Sequence, residues 1–207
     1  MINKDTEIYC SFSSNPGNNG CVFFNKVFKK KNIDAIYKSF YSNDIKESVN
    51  AVKSLGIKGF AVSMPFKIDV LNHVDDIDDS VNEIGSANTI VNDNGYLKAY
   101  NTDYLGVMEY LKTFSINHLY ILGNGGFSKA IQYACRLLEI NYTIITRNTW
   151  ILIDGLKNEI LFNATPVDVV STDNKIIDGR PFTITGKRIA LEQAKIQFKI
   201  YTGIDYE

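Results

Sequence analysis

Arginine and histidine are scarce in this chain: four Arg against 18 Lys, and two His. The two histidines, His73 and His118, form no ligand pair. His73 reads as a solvated helix residue and His118 as the start of a strand, so no metal site is expected. Three cysteines, Cys10, Cys21 and Cys135, lie far apart with no C-x-x-C spacing. That pattern excludes a disulfide framework and a zinc ribbon. Charge of one sign is also lacking. The formal net charge is −1, so no bulk basic field draws nucleic acid or an anionic membrane. No run approaches the ~20 apolar residues of a membrane span, and Met-Ile-Asn-Lys-Asp carries no apolar signal segment. The expectation is a cytoplasmic protein, monomer or homodimer, with no nucleic-acid or membrane partner. Internal repeats and low-complexity segments are absent too.

What is present is ordinary globular material, 207 residues with 45% apolar and 22% charged, enough for one domain or two small ones. Strand-like and helix-like stretches alternate up to about residue 100. Strands are expected at 7–12, 35–41 and 57–63, with helices at 21–31 and 43–55. Asn43 or Ser42 would cap the second helix and Gly56 would end it. Asn92-Asp93-Asn94-Gly95 between 88–91 and 96–100 is a hairpin signal. The alternation implies an α/β fold with a mostly parallel sheet. A helix over 102–114 would lead into a second α/β unit with strands at 118–122, 142–146 and 159–162 and a helix at 127–138. Only 11 residues separate Arg147 from Glu159, so any helix there is a turn or two, and this second unit looks trimmed.

The last expected helix is 188–201. Ile189, Gln193, Ile196 and Ile200 share one stripe, opposite Arg188, Glu192, Lys195 and Lys199. Gln193 is thus an amide among isoleucines. Burying it without partners costs a few kcal/mol, so it needs one: a structural hydrogen bond or a ligand.

Gly123-Asn124-Gly125-Gly126-Phe127-Ser128-Lys129-Ala130 stands between an apolar strand and a helix. Glycines let the backbone turn sharply and approach a pyrophosphate, and the helix start offers free N–H groups and a positive dipole end. About 20 residues past such a turn, an NAD-type site places a carboxylate on the ribose 2′-hydroxyl. Here the second strand ends in Thr146-Arg147-Asn148-Thr149. An Arg in that place suits a 2′-phosphate, which favours NADP(H) over NAD(H).

Three further motifs precede the turn. Gly59-Phe60-Ala61-Val62-Ser63-Met64-Pro65-Phe66-Lys67 sets a Lys just past a strand end; Gly85-Ser86-Ala87-Asn88-Thr89 and Asn101-Thr102-Asp103-Tyr104-Leu105-Gly106 follow. Singly each is unremarkable: a solvated Lys, or Thr102 or Asp103 capping a helix. In this order, ahead of a glycine turn, they resemble the shikimate dehydrogenase family. The resemblance implies an N-terminal α/β substrate domain (1–103, closed by a C-terminal helix 187–203) and a trimmed Rossmann-like NADP-binding domain (104–186). It implies Lys67 and Asp103 as the catalytic pair, and Ser63, Asn88, Gln193 and Asn18 as substrate-binding residues. For the cofactor it implies Gly123 to Ser128, Arg147, the Asn163-Ala164-Thr165 motif and Gly186, which would face the nicotinamide. The implied reaction is the reversible NADPH-dependent reduction of 3-dehydroshikimate to shikimate, a step of aromatic amino-acid biosynthesis. Its substrate is a cyclic polyol carboxylate.

The sequence departs from that family in places. The family anchors the substrate carboxylate with S-x-S-P, where this chain aligns Asn18-Asn19-Gly20-Cys21; a slip of a residue or two would bring in Ser13 or Ser14. Ala61 and Ser63 stand for Asn and Thr. The family's strand and helix before the Gly186 segment are expected to be missing. These departures keep open a quinate- or aminoshikimate-type substrate, or a non-catalytic relative that binds a nucleotide or metabolite.

Overall fold

A computed structural model describes residues 2–207. The chain divides into two compact units, Met1–Thr102 with Ala194–Glu207, and Asp103–Gln193.

In the first unit, β1 (Glu7–Ser13) lies between β2 (Ala35–Tyr41) and β3 (Gly59–Val62), parallel to both. Beyond β3 come β5 (Thr89–Asp93), β6 (Tyr96–Tyr100) and the two-residue β4 (Asp76–Ile77), giving the order β2-β1-β3-β5-β6-β4. The β3–β5 and β5–β6 pairings are antiparallel. The β5–β6 hairpin turns through Asn94 (φ 52°) and Gly95 (φ 96°), consecutive left-handed residues as its Asn-Gly sequence predicts. Helix α1 (Asn19–Lys30) buries Phe24, Val27 and Phe28 at helical spacing. Helix α2 (Ile45–Leu55) buries Ile45, Val49 and Val52 against the opposite cluster, which contains Phe12, Phe60 and Val62.

Gly56 ends α2 in the left-handed conformation, as expected. The cap at its start is Asp44, not Asn43 or Ser42: the Asp44 carboxylate accepts the Glu47 N–H at 3.1 Å. Ser42 turns back to accept the Asp44 N–H and lies 2.7 Å from Ser48 Oγ. A 3-10 turn at Asp69–His73, β4, and α3 (Asp79–Ile84), capped by Asp78, fill a stretch that the sequence pattern left unassigned.

The second unit opens with α4 (Asp103–Leu111) and carries β7 (His118–Leu122), α5 (Gly126–Leu137), β8 (Asn141–Ile145), β9 (Ile160–Asn163) and β10 (Lys175–Asp178). The sheet order is β10-β9-β7-β8, all parallel. One face is covered by α4, α5 and Ile189. The other is covered by a nine-residue 3-10 segment, Arg147–Gly155, whose Trp150 and Ile153 pack on Leu122, Ile145 and Leu161. This short segment replaces a crossover helix. Strand β10 corrects the expectation that the strand before the C-terminal segment was lost; only the helix is missing, and β9 reaches β10 through 164–174 without one.

Helix α6 (Ile184–Thr202) is longer at its start than expected and contributes to both units. Its buried residues are Ile189, Gln197, Phe198 and Tyr201, while Gln193, Ile196 and Ile200 are only partly buried. Among the described residues, no helix is long and apolar enough to cross a membrane.

Candidate functional site

Strand direction collects the first unit's motifs at one sheet edge. β1 and β3 run parallel with Phe12 beside Val62, so both point their C-terminal ends the same way. β5 is antiparallel to β3 and starts there, and β6 ends there, with Thr89 beside both Ala61 and Tyr100. Backbone bonds stitch the edge: Ser63 N–H to Phe12 O at 3.1 Å, Val62 N–H to Asn88 O at 3.0 Å and Asn88 N–H to Tyr100 O at 3.1 Å. Lys67 is tied to the same place, since its carbonyl accepts the Ala87 N–H at 2.8 Å. Ser63, Lys67, Asn88, Asn101 and Thr102 therefore gather at one edge of one sheet.

Beneath that edge lies a buried polar network. Asn88 Oδ1 accepts the Thr102 N–H (2.8 Å), the Thr102 hydroxyl (3.1 Å) and the Thr89 hydroxyl (2.9 Å). The Thr102 hydroxyl thus lies inside this network, 3.1 Å from both Asn88 Oδ1 and Thr89 Oγ1. Asn101 Nδ2 donates to Ser86 O at 2.9 Å. Gln197 Nε2 donates to Thr89 Oγ1 at 2.7 Å. Sequence reasoning missed Gln197. The one signal for it was its position one helical turn beyond Gln193, on the same stripe.

The first loop differs from what an acid-binding loop needs. Asn18 is exposed and gives α1 no side-chain cap. A Cβ at Gly20 would stand 2.9 Å from Tyr37 Cε1, and Tyr37 is locked by stacking on Phe24 at 4.5 Å. The Ser13 and Ser14 hydroxyls both donate to Met64 O, at 3.2 and 3.4 Å.

In the second unit, β7 sends its chain to β8 on one side while β9 lies on the other, so the C-terminal ends of β7 and β9 flank a topological switch point. Gly123 (φ 101°) turns there, and a Cβ on it would meet Thr165 Cγ2 at 3.0 Å. The glycine turn and the Asn163-Ala164-Thr165 motif therefore abut. Gly125 is the cap position of α5 and supplies no side-chain oxygen, which leaves the first-turn N–H groups to a ligand or solvent. Asn124 and Gly125 are exposed beside it.

Several side chains expected on the cofactor are occupied within the protein. Ser128 donates to Gly123 O at 2.7 Å and so braces the turn. The Phe127 ring packs against Phe162, and a Cβ at Gly179 would lie 2.5 Å from it. Asn163 Oδ1 accepts from Thr165 N–H (3.0 Å) and Oγ1 (2.7 Å), and its Nδ2 donates to Val167 O at 2.9 Å and Asp178 Oδ2 at 3.4 Å. Those bonds saturate the amide, which shapes the loop. A Cβ at Gly186 would run into the Arg180 carbonyl, so this glycine is required by the 180–186 turn. Only the backbone of these residues is left for a dinucleotide.

Arg147 is exposed just past β8, and no hydrogen bond or ion pair joins it to another described residue. Arg180, absent from the sequence reading, forks onto Asp178 (2.6–3.1 Å) and reaches Asp168 at 2.6 Å. Burial opposes the Asp178 charge, but the Arg180 side-chain and backbone bonds outweigh it and hold this carboxyl below its ordinary range. Gln193 backs onto Gly106, where a Cβ would lie 3.0 Å from the Gln193 backbone N. Asp103 is buried as the first residue of α4. Burial pushes the Cys135 thiol up to about 12 and the Cys10 thiol still higher, which excludes both as thiolate nucleophiles.

Comparison with known proteins points to one family along the chain. A family model for the shikimate dehydrogenase substrate binding domain matches residues 20–90. A shikimate dehydrogenase-like protein of Haemophilus influenzae is 43% identical over 137 residues, 65% of this chain and 51% of that protein. A shikimate dehydrogenase (NADP(+)) of Pyrococcus furiosus is 40% identical over 154 residues, 70% of this chain and 56% of that protein. These matches span about half the length of the curated relatives. A solved shikimate 5-dehydrogenase-like protein superposes with a TM-score of 0.84 at 31% identity, covering 99% of this chain and 94% of that one. With the motif order, the edge that gathers Lys67 and Asn88, and a likeness running the length of the chain, this protein belongs to the shikimate dehydrogenase family.

Proposed function

We propose that this chain is an NADP(H)-dependent oxidoreductase that interconverts a ketone and an alcohol on a cyclic polyol carboxylate, shikimate and 3-dehydroshikimate being the reference pair. The observation that carries the reading is the single sheet edge holding Lys67 beside Asn88, with Asn101 and Thr102 leading into Asp103. The domains divide the work: the first unit holds the substrate, the second the dinucleotide, whose nicotinamide supplies the hydride when bound. Support for NADP(H) comes from the name of the P. furiosus relative. The uncapped start of α5, the Gly123 turn and Arg147 offer groups that fit a pyrophosphate and a 2′-phosphate.

Reduction of a ketone builds negative charge on its oxygen. Lys67 stabilises that charge and delivers the proton; in the reverse direction it takes the proton back. Asp103 accepts a hydrogen bond from the substrate hydroxyl. Asn88, Ser63 and Gln193 fix the ring by hydrogen bonds, so that the reacting carbon meets the nicotinamide in one pose.

The test is NADPH absorbance on mixing the protein with NADP and shikimate or quinate. Lys67→Ala should lower kcat by about 10²–10³-fold, the usual scale for removing an electrostatic stabiliser of a developing oxyanion. A rate unchanged by Lys67→Ala sinks the reading.

A second reading, an altered substrate or a non-catalytic binder, is favoured by the first loop. Tyr37 fills the space that a side chain at Gly20 would use, and the Ser13 and Ser14 hydroxyls are committed to Met64 O. A carboxylate there has fewer donors to meet it, at about 1–3 kcal/mol for each one lost. Tight NADPH binding without turnover of any cyclic polyol acid would decide for this reading.

A further inference from the structure

Gln197 is 4% exposed, and its neighbour Phe198 is fully buried in an aromatic cluster. A buried amide needs partners, and the one that Gln197 Nε2 reaches is the hydroxyl of Thr89, itself fully buried. The hydroxyl has one proton. Because Nε2 can only donate, Thr89 Oγ1 accepts from Gln197, and its own proton is left for Asn88 Oδ1, 2.9 Å away, with the Thr102 hydroxyl 3.1 Å away as the other oxygen in reach. The Thr102 N–H arrives at the same oxygen from the other strand end at 2.8 Å. Asn88 therefore has its carbonyl oxygen held inward by three donors, the Thr89 hydroxyl and the Thr102 N–H and hydroxyl.

We propose that Gln197 is a positioning residue for substrate binding. Acting through Thr89, it sets the direction of the hydrogen bonds that orient the Asn88 amide and hold Thr102, the residue just before Asp103. Assigning Asn88 a substrate contact rests on the function proposed above; the direction of the network does not.

The test reverses that direction. In Gln197→Glu the side chain keeps its size but can only accept, so the Thr89 proton turns to it and leaves Asn88. Thr89→Val removes the relay, whereas Thr89→Ser keeps it. KM for shikimate is expected to rise about three- to tenfold in Gln197→Glu and in Thr89→Val, the effect of one hydrogen bond. KM for NADP should stay within about twofold, and Thr89→Ser should match the parent protein. The double variant Gln197→Glu with Thr89→Val should be no worse than Thr89→Val alone. A uniform loss of stability would not separate the two KM values in this way. Equal KM for shikimate in the parent and in Gln197→Glu overturns the inference. In parallel, the Asn88 side-chain NH2 and Thr102 N–H signals of the 15N-labelled, ligand-free protein should shift in Gln197→Glu and not in Thr89→Ser. If the parent turns over no cyclic polyol acid but these signals shift, only the proposed function falls. If they do not shift, the positioning role falls whatever the activity.

Discussion

Side-chain hydrogen bonds join the candidate residues at the sheet edge of the first unit, whereas in the second the turns at Gly123 and Gly186, besides the bonds of Ser128 and Asn163, depend on backbone pressed into spaces that only glycine leaves. Asn88, Thr89, Thr102 and Gln197 form a directed network in which each donor has a chosen acceptor. Gly123, Gly179 and Gly186 sit where a Cβ would strike Thr165, Phe127 or the Arg180 carbonyl. The difference suits the chemistry proposed for each unit. A polyol is read by hydroxyl direction, which oriented amides and hydroxyls can supply. A pyrophosphate is read by N–H groups of the backbone, which must come close and stay still. Networks can be retuned one bond at a time, while glycine contacts fail all at once.

Five substitutions probe that contrast. Gly186→Ala should cost the most, about 3 kcal/mol, because neither the Arg180 carbonyl nor the first turn of α6 can yield without breaking the 180–186 turn. Urea unfolding should show a fall in the midpoint. Gly125→Ala, where nothing lies within 4 Å, is the control and should cost about 1 kcal/mol or less. Equal losses at the two positions would break the comparison. Arg147→Ala comes next. It should raise KM for NADP about 10- to 100-fold, leave KM for NAD unchanged and leave thermal unfolding alone, since this side chain is exposed. A parallel rise for both cofactors would mean that Arg147 does not read the 2′-phosphate. Tyr201→Phe should have the smallest effect and the opposite sign. Its hydroxyl is buried and has no hydrogen-bond partner among the described residues, so removing it should stabilise the protein by up to about 1 kcal/mol, seen as a small rise in Tm. Thr89→Val removes a satisfied hydroxyl from the same unit and should lower Tm; if both changes act alike, burial and not bonding governs that unit.

Much of this was readable from the chain alone because it depends on local chemistry. Asn94-Gly95 can form only a few turns, Gly56 is a ready helix stop, and alternating elements force a largely parallel arrangement. What escaped depends on neighbours distant in sequence. Ser42, Asn43 and Asp44 are all able caps, and the choice of Asp44 follows from Ser42 pairing with Ser48. Asp76–Ile77 is too short to carry any period, and the acidic run around it reads as a loop. β10 offers only Ile176 and Ile177 as apolar residues, so a genuine strand looked like a deletion. On α6, Gln193 and Gln197 lie on one stripe, and only packing shows that the buried amide bonded to Thr89 is Gln197. The family resemblance assigns Asn163, Phe127 and Gly186 to the cofactor; the contacts that also fix them inside their loops come from residues no motif shows.

The division of the first unit into two sequence segments has a consequence for how the molecule is made. Phe198 and Tyr201 pack with Phe24, Phe28 and Tyr9, although the whole of the 103–193 unit is synthesised between them. Until residues 194–207 leave the ribosome, the aromatic cluster of the first unit lacks Phe198 and Tyr201, whereas the 103–193 segment is continuous in sequence. The later-made unit can thus close before the earlier one, against the usual N-to-C order of domain folding. The exposed aromatic face in the interim is the surface on which a chaperone, or an aggregate, would first take hold.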